Sequence, residues 1–284
     1  TQPLLRQRMR QLALFAGILM SGGLLLIQRE PVLVIVVVTC FLLNNPLRLF
    51  RPEFAVIWMV LFAVAAAVLI GGESFQLAPM IIRYANFLAG LSLLLVYLNE
   101  RRSTLADDLY PILKFMAFQA VLTPIAYILI PSYFSTVRVF DTEYNTFYFL
   151  FTFHEFQNFG ALKRPDGFFF EPGVFQIYLT QYLFISLFVR KRSLFDIALA
   201  TAAVLATQST TGVVILVVQF AYAYFRWLRG ADRAQKLGVF VFVPILLLPL
   251  GAYVTYNVSE KFYGALKGSA EAREYDLRTG ISVA

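Results

Sequence analysis

Long apolar runs, separated by short charged islands, constrain this 284-residue chain more than any other feature of its sequence. Runs of about 20 apolar residues match the hydrocarbon thickness of a bilayer. In lipid, every backbone polar group needs a partner within the protein, so such runs form helices. Charged residues make up only 14% of the chain, whereas an average soluble domain has about 25%. The sequence therefore predicts an all-α, polytopic membrane helical bundle.

The apolar pattern predicts about nine spans, which we group in a single membrane domain over residues 1–284. We place the spans at about 11–27, 31–43, 54–71, 80–98, 111–130, 172–189, 194–206, 212–225 and 237–256. The second, seventh and eighth of these are short. Two longer polar segments lie on one side: a first periplasmic loop over 131–171 and the start of a second over 257–284. We expect the chain to be a fragment of a longer protein that continues this second loop.

The positions of the basic residues predict the topology. With the N-terminus in the cytoplasm, most of the 24 Lys and Arg residues fall in cytoplasmic segments, and Arg190, Lys191 and Arg192 are adjacent. This distribution follows the positive-inside rule. The net charge of +7 is then explained by acidic lipid headgroups, so we expect membrane lipids and not nucleic acid as partners. Lys114, inside the fifth span, is interpreted as a residue that snorkels to the cytoplasmic surface.

The first outer loop is dense in aromatic residues. Between residues 144 and 159 it carries Tyr144, Phe147, Tyr148, Phe149, Phe151, Phe153, Phe156 and Phe159. Aromatic rings are favoured at the membrane–water interface, and amphipathic helices lie in that plane. We therefore predict an interfacial helix here, which either anchors the loop or flanks a lipid-borne substrate.

The supply of metal-binding side chains is small. Cys40 is the single cysteine and His154 the single histidine, so a zinc or iron site of His and Cys ligands is not expected. Asp141 and Glu143 resemble an acidic metal-binding pair, but such pairs are common in solvated loops. We expect no metal and no cofactor.

The segment R-P-D-G-F-F-F-E-P-G, from Arg164 to Gly173, carries the strongest candidate residues. Pro172 suits the first turn of a helix, so Glu171 is expected at the N-cap of the sixth span. A carboxylate there either stabilises the helix dipole or acts as a general base that faces Arg164. His154 is a second candidate base, or an interface residue of the aromatic loop.

Further polar residues lie near the outer ends of other spans. An ionisable residue inside a span is a functional candidate, and Arg83 in the fourth span either serves this way or snorkels to the headgroups. Asn86 and Gly90 follow on the same helix face. The turn from Thr207 to Gly212 either binds a ligand or caps its helices. Gln176 in the sixth span lines a polar cleft or bonds a neighbouring helix.

These motifs resemble the bacterial O-antigen and capsular polysaccharide polymerases, and the related O-antigen ligases. The resemblance rests on R-P-D-G-x-x-x-E-P-G before a span, on S-T-T-G at Ser209–Gly212 two spans later, and on Arg278 in the following outer loop. It covers most of the chain in topology, and about thirty residues in motifs. It implies a multi-pass enzyme of the bacterial inner (cytoplasmic) membrane.

The resemblance also implies the chemistry. Such enzymes are glycosyltransferases that join glycans carried on undecaprenyl diphosphate, as both donor and acceptor, without a metal. It implies that Glu171, Arg164 and His154 are catalytic. The diphosphate and substrate would be bound by Arg83, Arg164, Arg278, Ser209, Thr210, Thr211 and Gln176. A flippase and a chain-length regulator are candidate partners. Two alternatives stay open: a ligase that transfers the glycan to lipid A-core, and a flippase for lipid-linked glycans.

Overall fold

The computed structural model describes residues 2–21, 29–44, 51–71, 77–98, 100–139, 142–154, 163–190 and 193–229, together with 251–252, 255–256 and 259. Eight α-helices lie in this part of the chain: α1 (Gln2–Ser21), α2 (Arg29–Leu43), α3 (Ala55–Gly71), α4 (Leu77–Leu98), α5 (Arg102–Leu129), α6 (Pro172–Phe184), α7 (Leu194–Ala206) and α8 (Thr210–Leu228). A π-helical turn, Ile185–Val189, continues α6. The chain is therefore mostly helical, as its apolar runs predict.

Three of the helical segments are long and apolar enough to cross a membrane: Thr104–Leu129, Pro172–Val189 and Thr210–Leu228. Shorter apolar helices cover Glu30–Leu43, Tyr84–Leu98 and Leu194–Ala206. The eighth predicted span is longer than expected, since α8 has 19 residues. Most of the ninth, 237–256, lies outside the described residues. A membrane protein is thus compatible with the fold, and the number of about nine spans stays a prediction.

The chain divides into two compact units, and α5 runs from the first into the second. Unit 1 comprises Thr1–Ile112 with Phe168–Phe170, and unit 2 comprises Leu113–Gly167 with Glu171–Ala284. A single membrane domain over residues 1–284 stays a prediction.

Unit 1 packs α1, α2 and α4 against each other. Small side chains such as Ala13, Ala16 and Ala89 are buried in its core, which permits close helix approach. An ion pair adds to this packing: Nε of Arg10 donates to Oδ2 of Asp108 at 2.7 Å, and the hydroxyl of Tyr97 donates to the same oxygen at 3.1 Å.

Unit 2 packs α6, α7 and α8 against each other. Pro172 occupies the first turn of α6, where its missing N–H has no consequence. Ser193 caps α7 and Ser209 caps α8, each by accepting a backbone N–H three residues on at 3.4 Å. These short polar turns fix where the apolar helices begin.

Residues 135–154, within the segment predicted to be the first outer loop, form a sheet, so the interfacial helix predicted from residue 144 onwards is wrong up to residue 154. Strands β1 (Ser135–Val139), β2 (Thr142–Phe147) and β3 (Phe151–His154) form an antiparallel sheet in the order β1-β2-β3. The physical reason is alternation: Tyr144 and Thr146 are buried, whereas Glu143 is exposed. This period of two suits a strand. Residues 155–159 lie outside the described part.

Lys114 has a partner that the sequence analysis did not identify. Its Nζ atom lies 2.9 Å from Oδ1 of Asp196 at the start of α7, and the hydroxyl of Tyr182 donates to the same oxygen at 2.8 Å. The lysine is therefore paired with a carboxylate of another helix of unit 2. The snorkelling interpretation missed a partner that is 82 residues away in sequence.

Candidate functional site

The segment before α6 is held in place by its own residues. The backbone N–H of Asp166 donates to the carbonyl of Thr152 in β3 at 2.9 Å. Gly167 has a φ of +63°, which glycine adopts without steric cost. A Cβ atom on Gly167 would lie 2.9 Å from the ring of Phe175 in α6. The motif P-D-G thus lets the backbone turn tightly between the sheet and α6.

Asp166 and His154 form a buried pair. Nδ1 of His154 lies 2.8 Å from Oδ2 of Asp166. Asp166 has 0% exposure and His154 has 8%. Burial raises the pKa of Asp166 to about 6, although His154 and Arg164 both act to lower it. An Nδ1–H that donates to Asp166 leaves Nε2 of His154 as the acceptor nitrogen of the ring.

Tyr144 lies beside this pair. It is the cross-strand partner of His154 in the β2–β3 ladder, and the two ring centroids are 5.4 Å apart. Burial raises the pKa of Tyr144 to about 12, and the charges of Asp166 and Glu171 act in the same direction. Tyr144 therefore remains a protonated hydrogen-bonding group at physiological pH. Tyr144 belongs to the aromatic stretch noted in the sequence, but its position opposite His154 follows only from the sheet.

Arg164 joins this segment to the turn between α7 and α8. Its Nε atom donates to the backbone carbonyl of Thr207 at 2.9 Å, and the side chain is buried, with 7% exposure. It also stabilises the charged form of Asp166. Of the predicted catalytic residues, the structure brings Arg164 and His154 together through Asp166. Asp166 belongs to the sequence motif but was not predicted as a site residue.

Glu171 lies at the N-cap of α6, as its position before Pro172 predicts. Its backbone is extended and its side chain makes no capping hydrogen bond. The side chain is exposed, and its charge contributes to the raised pKa of Tyr144. The carboxylate is therefore near the buried cluster and reachable from outside it, which keeps the general-base interpretation open.

Local hydrogen bonds explain the presence of several polar residues in the turn Thr207–Gly212. The hydroxyl of Thr207 donates to the carbonyl of Val204 at 2.7 Å and accepts the N–H of Ser209 at 3.4 Å. Ser209 is buried and caps α8, Thr210 begins that helix, and Thr211 is exposed. The hydroxyls of Thr207 and Ser209 thus shape the turn that receives Arg164, and the predicted ligand contacts of Ser209, Thr210 and Thr211 stay predictions.

Gln176 is buried between helices of unit 2. Its Oε1 atom lies 2.9 Å from the position that a Cβ atom would take on Gly212 of α8. This oxygen has no hydrogen-bond partner among the described residues. Gln176 therefore lies in the contact between α6 and α8, which is the location expected of a residue that bonds a neighbouring helix. A role in substrate binding stays a prediction.

The remaining two arginines are not assigned by the structure. Arg278 and the side chain of Arg83 lie outside what the structure describes. Asn86 and Gly90, which follow Arg83 on α4, line a cavity of about 410 Å³ in unit 1 together with Gly17 and Ser21. Most of the other residues that line this cavity are apolar, so a polar binding face on α4 stays a prediction. Its convergence with Arg164, which belongs to unit 2, stays a prediction.

The cluster can move a proton and stabilise negative charge. A histidine oriented by a carboxylate is a general base, an exposed carboxylate is another, and a buried arginine favours anions. Within the residues that the structure describes, no group of three or more His, Cys, Asp and Glu side chains could hold a metal ion. These features define a candidate acid–base site in a chain with helices suited to a membrane.

Comparison with known proteins does not identify a family for this chain. No protein-family model, no curated protein and no solved structure matches the chain.

Proposed function

We propose that this chain is a membrane glycosyltransferase that polymerises oligosaccharide repeat units carried on undecaprenyl diphosphate. The observation that carries the proposal is one cluster of unit 2. It contains the His154–Asp166 pair, Arg164, whose charge acts on Asp166, and Glu171, whose charge acts on Tyr144 beside the pair. This cluster combines an anion-stabilising side chain, Arg164, with two candidate bases, His154 and Glu171. The sequence resemblance to O-antigen and capsule polymerases supplies the substrate class.

The reaction assigns a role to each group. The hydroxyl oxygen of the acceptor sugar forms a bond to the anomeric carbon of the donor, and the bond from that carbon to the diphosphate breaks. The electron pair of the broken bond goes to the diphosphate oxygen, whose growing charge Arg164 stabilises, with Arg83 and Arg278 as further candidates. Glu171 or His154 accepts the hydroxyl proton. No metal is needed in this scheme.

The proposal includes a location. The chain would cross the bacterial inner membrane about nine times, with the N-terminus in the cytoplasm and the site on the periplasmic side. Three helices with the length and composition of membrane spans support this, as does the clustering of basic residues between other spans. The lipid-linked donor and acceptor would then reach the site from the bilayer.

The direct test is a reaction with the purified full-length protein in lipid nanodiscs. A polyprenyl-diphosphate-linked oligosaccharide should give a ladder of longer chains and free polyprenyl diphosphate. Product formation only when lipid A-core is added would favour the ligase alternative. Movement of the labelled glycan across vesicle bilayers without a new glycosidic bond would overturn the enzyme and favour the flippase.

A matched pair of variants ties the activity to the site. Arg164→Lys should lower the rate on the order of 10²-fold or more, because lysine lacks the planar, two-pronged donor geometry of arginine. Arg138→Lys, at an exposed position of β1 in the same unit, should leave the rate unchanged. Since Arg164 also binds Thr207, size-exclusion elution and thermal unfolding of both variants are needed. A folded Arg164→Lys protein with full activity would contradict the proposed role.

A further inference from the structure

The loop between β2 and β3 places large apolar side chains at the tip of a hairpin. Tyr148 is 79% exposed, Phe149 is 57% exposed and Leu150 is 38% exposed. The φ angles of Tyr148 and Phe149 are +48° and +59°. Bulky residues rarely adopt this left-handed region, and strain of this kind is found where a segment has a function. In turns this region is usually occupied by Gly, Asn or Asp.

The tip lies deep along α5. The side-chain amide of Gln119 donates to the carbonyl of Leu150, whereas Tyr127, eight residues further along α5, contacts Phe153 of β3 with ring centroids 4.8 Å apart. The ammonium group of Lys163 lies 5.5 Å from the Tyr127 ring. Tyrosine and lysine side chains are typical of the headgroup level. At 1.5 Å per residue, Gln119 is about 12 Å from Tyr127 along the axis of α5.

Several polar groups of the hairpin are paired within the protein. The N–H of Leu150 donates to the carbonyl of Phe147 at 3.1 Å, and the carbonyl of Leu150 accepts the Gln119 amide. The buried hydroxyls of Thr146 and Thr152 bond each other across the strands at 3.0 Å. These bonds pair part of the hairpin's polar groups internally, which lowers the cost of moving them away from water.

We propose that the β2–β3 hairpin is a re-entrant element whose tip inserts into the hydrocarbon of the outer leaflet. The occupant of the exposed tip is lipid acyl chain, because the tip is apolar and lies beside α5, on which Leu122 and Ile125 are also exposed. α5 in turn has the length and composition of a span. β3 then begins beside hydrocarbon and ends at His154, so one strand connects the bilayer to the buried polar cluster.

Spin-label accessibility in nanodiscs tests this inference, which rests on the proposed crossing of the bilayer by α5. A nitroxide is attached at Tyr148→Cys, Phe149→Cys, Ile125→Cys and Glu143→Cys in a Cys40→Ala background. Oxygen partitions into lipid, and a nickel chelate stays in water. Positions 148 and 149 should match position 125, with high oxygen and low nickel accessibility. Position 143, at the opposite end of β2 and exposed, should show the reverse.

Two outcomes overturn the inference and are distinguishable from each other. If position 125 reports lipid but positions 148 and 149 report water, the hairpin does not enter the bilayer, and the proposed function is unaffected. If position 125 also reports water, α5 does not cross the bilayer, and the membrane placement in the proposed function fails as well. Elution of every labelled variant at the position of the parent protein excludes misfolding as the cause.

Discussion

Gly167 packs directly against the ring of Phe175, with 2.9 Å between the position of an added Cβ atom and Cζ of that ring. Since Gly167 also has a φ of +63°, Gly167→Ala should destabilise the protein by about 1–3 kcal/mol through backbone strain and overpacking. Thermal unfolding in detergent measures the loss. Gly90→Ala is the matched control, because an added Cβ atom there meets nothing within 4 Å. An equal response of both variants would contradict the tight contact.

Glu171→Gln separates a catalytic base from a helix cap. Because the Glu171 side chain makes no capping hydrogen bond, its replacement should lower stability by less than about 1 kcal/mol, the typical contribution of a charge near a helix terminus. If Glu171 is the base, turnover should fall on the order of 10²-fold. The control is Glu143→Gln, on an exposed position of β2. Full activity of Glu171→Gln would transfer the role to His154.

Asp166 should give the protein a distinctive dependence of stability on pH. The pKa of its buried carboxyl is about 6, against an ordinary value of 3.8, so the folded state binds this proton more tightly than the unfolded chain. The stabilisation is complete below about pH 4 and is lost as the pH rises through about 6, by up to about 3 kcal/mol. Asp166→Asn should remove this slope between pH 4 and 6.

The exposed carboxyl of Asp107 provides the comparison for that experiment. Asp107→Asn should retain the slope of the parent protein in unfolding curves recorded at several pH values. An unchanged slope in Asp166→Asn would show that another group controls the pH dependence.

Membrane topology can be read by cysteine labelling of intact cells. In a Cys40→Ala background, a membrane-impermeant maleimide should label Asn145→Cys and should not label Lys191→Cys until the membrane is opened. The reason is the basic cluster at 190–192, which the positive-inside rule places in the cytoplasm. The opposite pattern would invert the whole topology.

Removal of divalent metals should leave the activity unchanged. The proposed scheme uses arginines in place of a metal to stabilise the diphosphate. Polymer formation is measured before and after treatment with a chelator, in the same lipid preparation. A loss that magnesium or manganese restores would make Asp141 and Glu143 candidate ligands and would contradict the prediction.

The helices could be predicted from the sequence because each apolar run carries its own signal. The start of α6 at Pro172 and the N-cap position of Glu171 follow from local rules that hold without tertiary contacts. The hairpin could not be predicted from aromatic density, because aromatic residues suit both an interfacial helix and a strand. The alternation of Thr142, Tyr144 and Thr146 was the available signal for the strand.

The interactions of the site were less accessible to prediction than its location. The P-D-G segment indicated a turn, but the pairing of Asp166 with His154 depends on the sheet that places β3 beside it. The pairing of Lys114 with Asp196 joins two helices that are distant in sequence. Such contacts depend on packing between elements, for which a single sequence carries little information.

The register of the β2–β3 ladder limits how the hairpin can vary in length. Tyr144 faces His154 across the strands, and a slip of one residue would turn every side chain of a strand to the opposite face. His154 would then point away from Asp166. Among homologous proteins that retain this pair, insertions or deletions within the two strands should therefore occur in even numbers, and the hairpin should change length in steps of two residues.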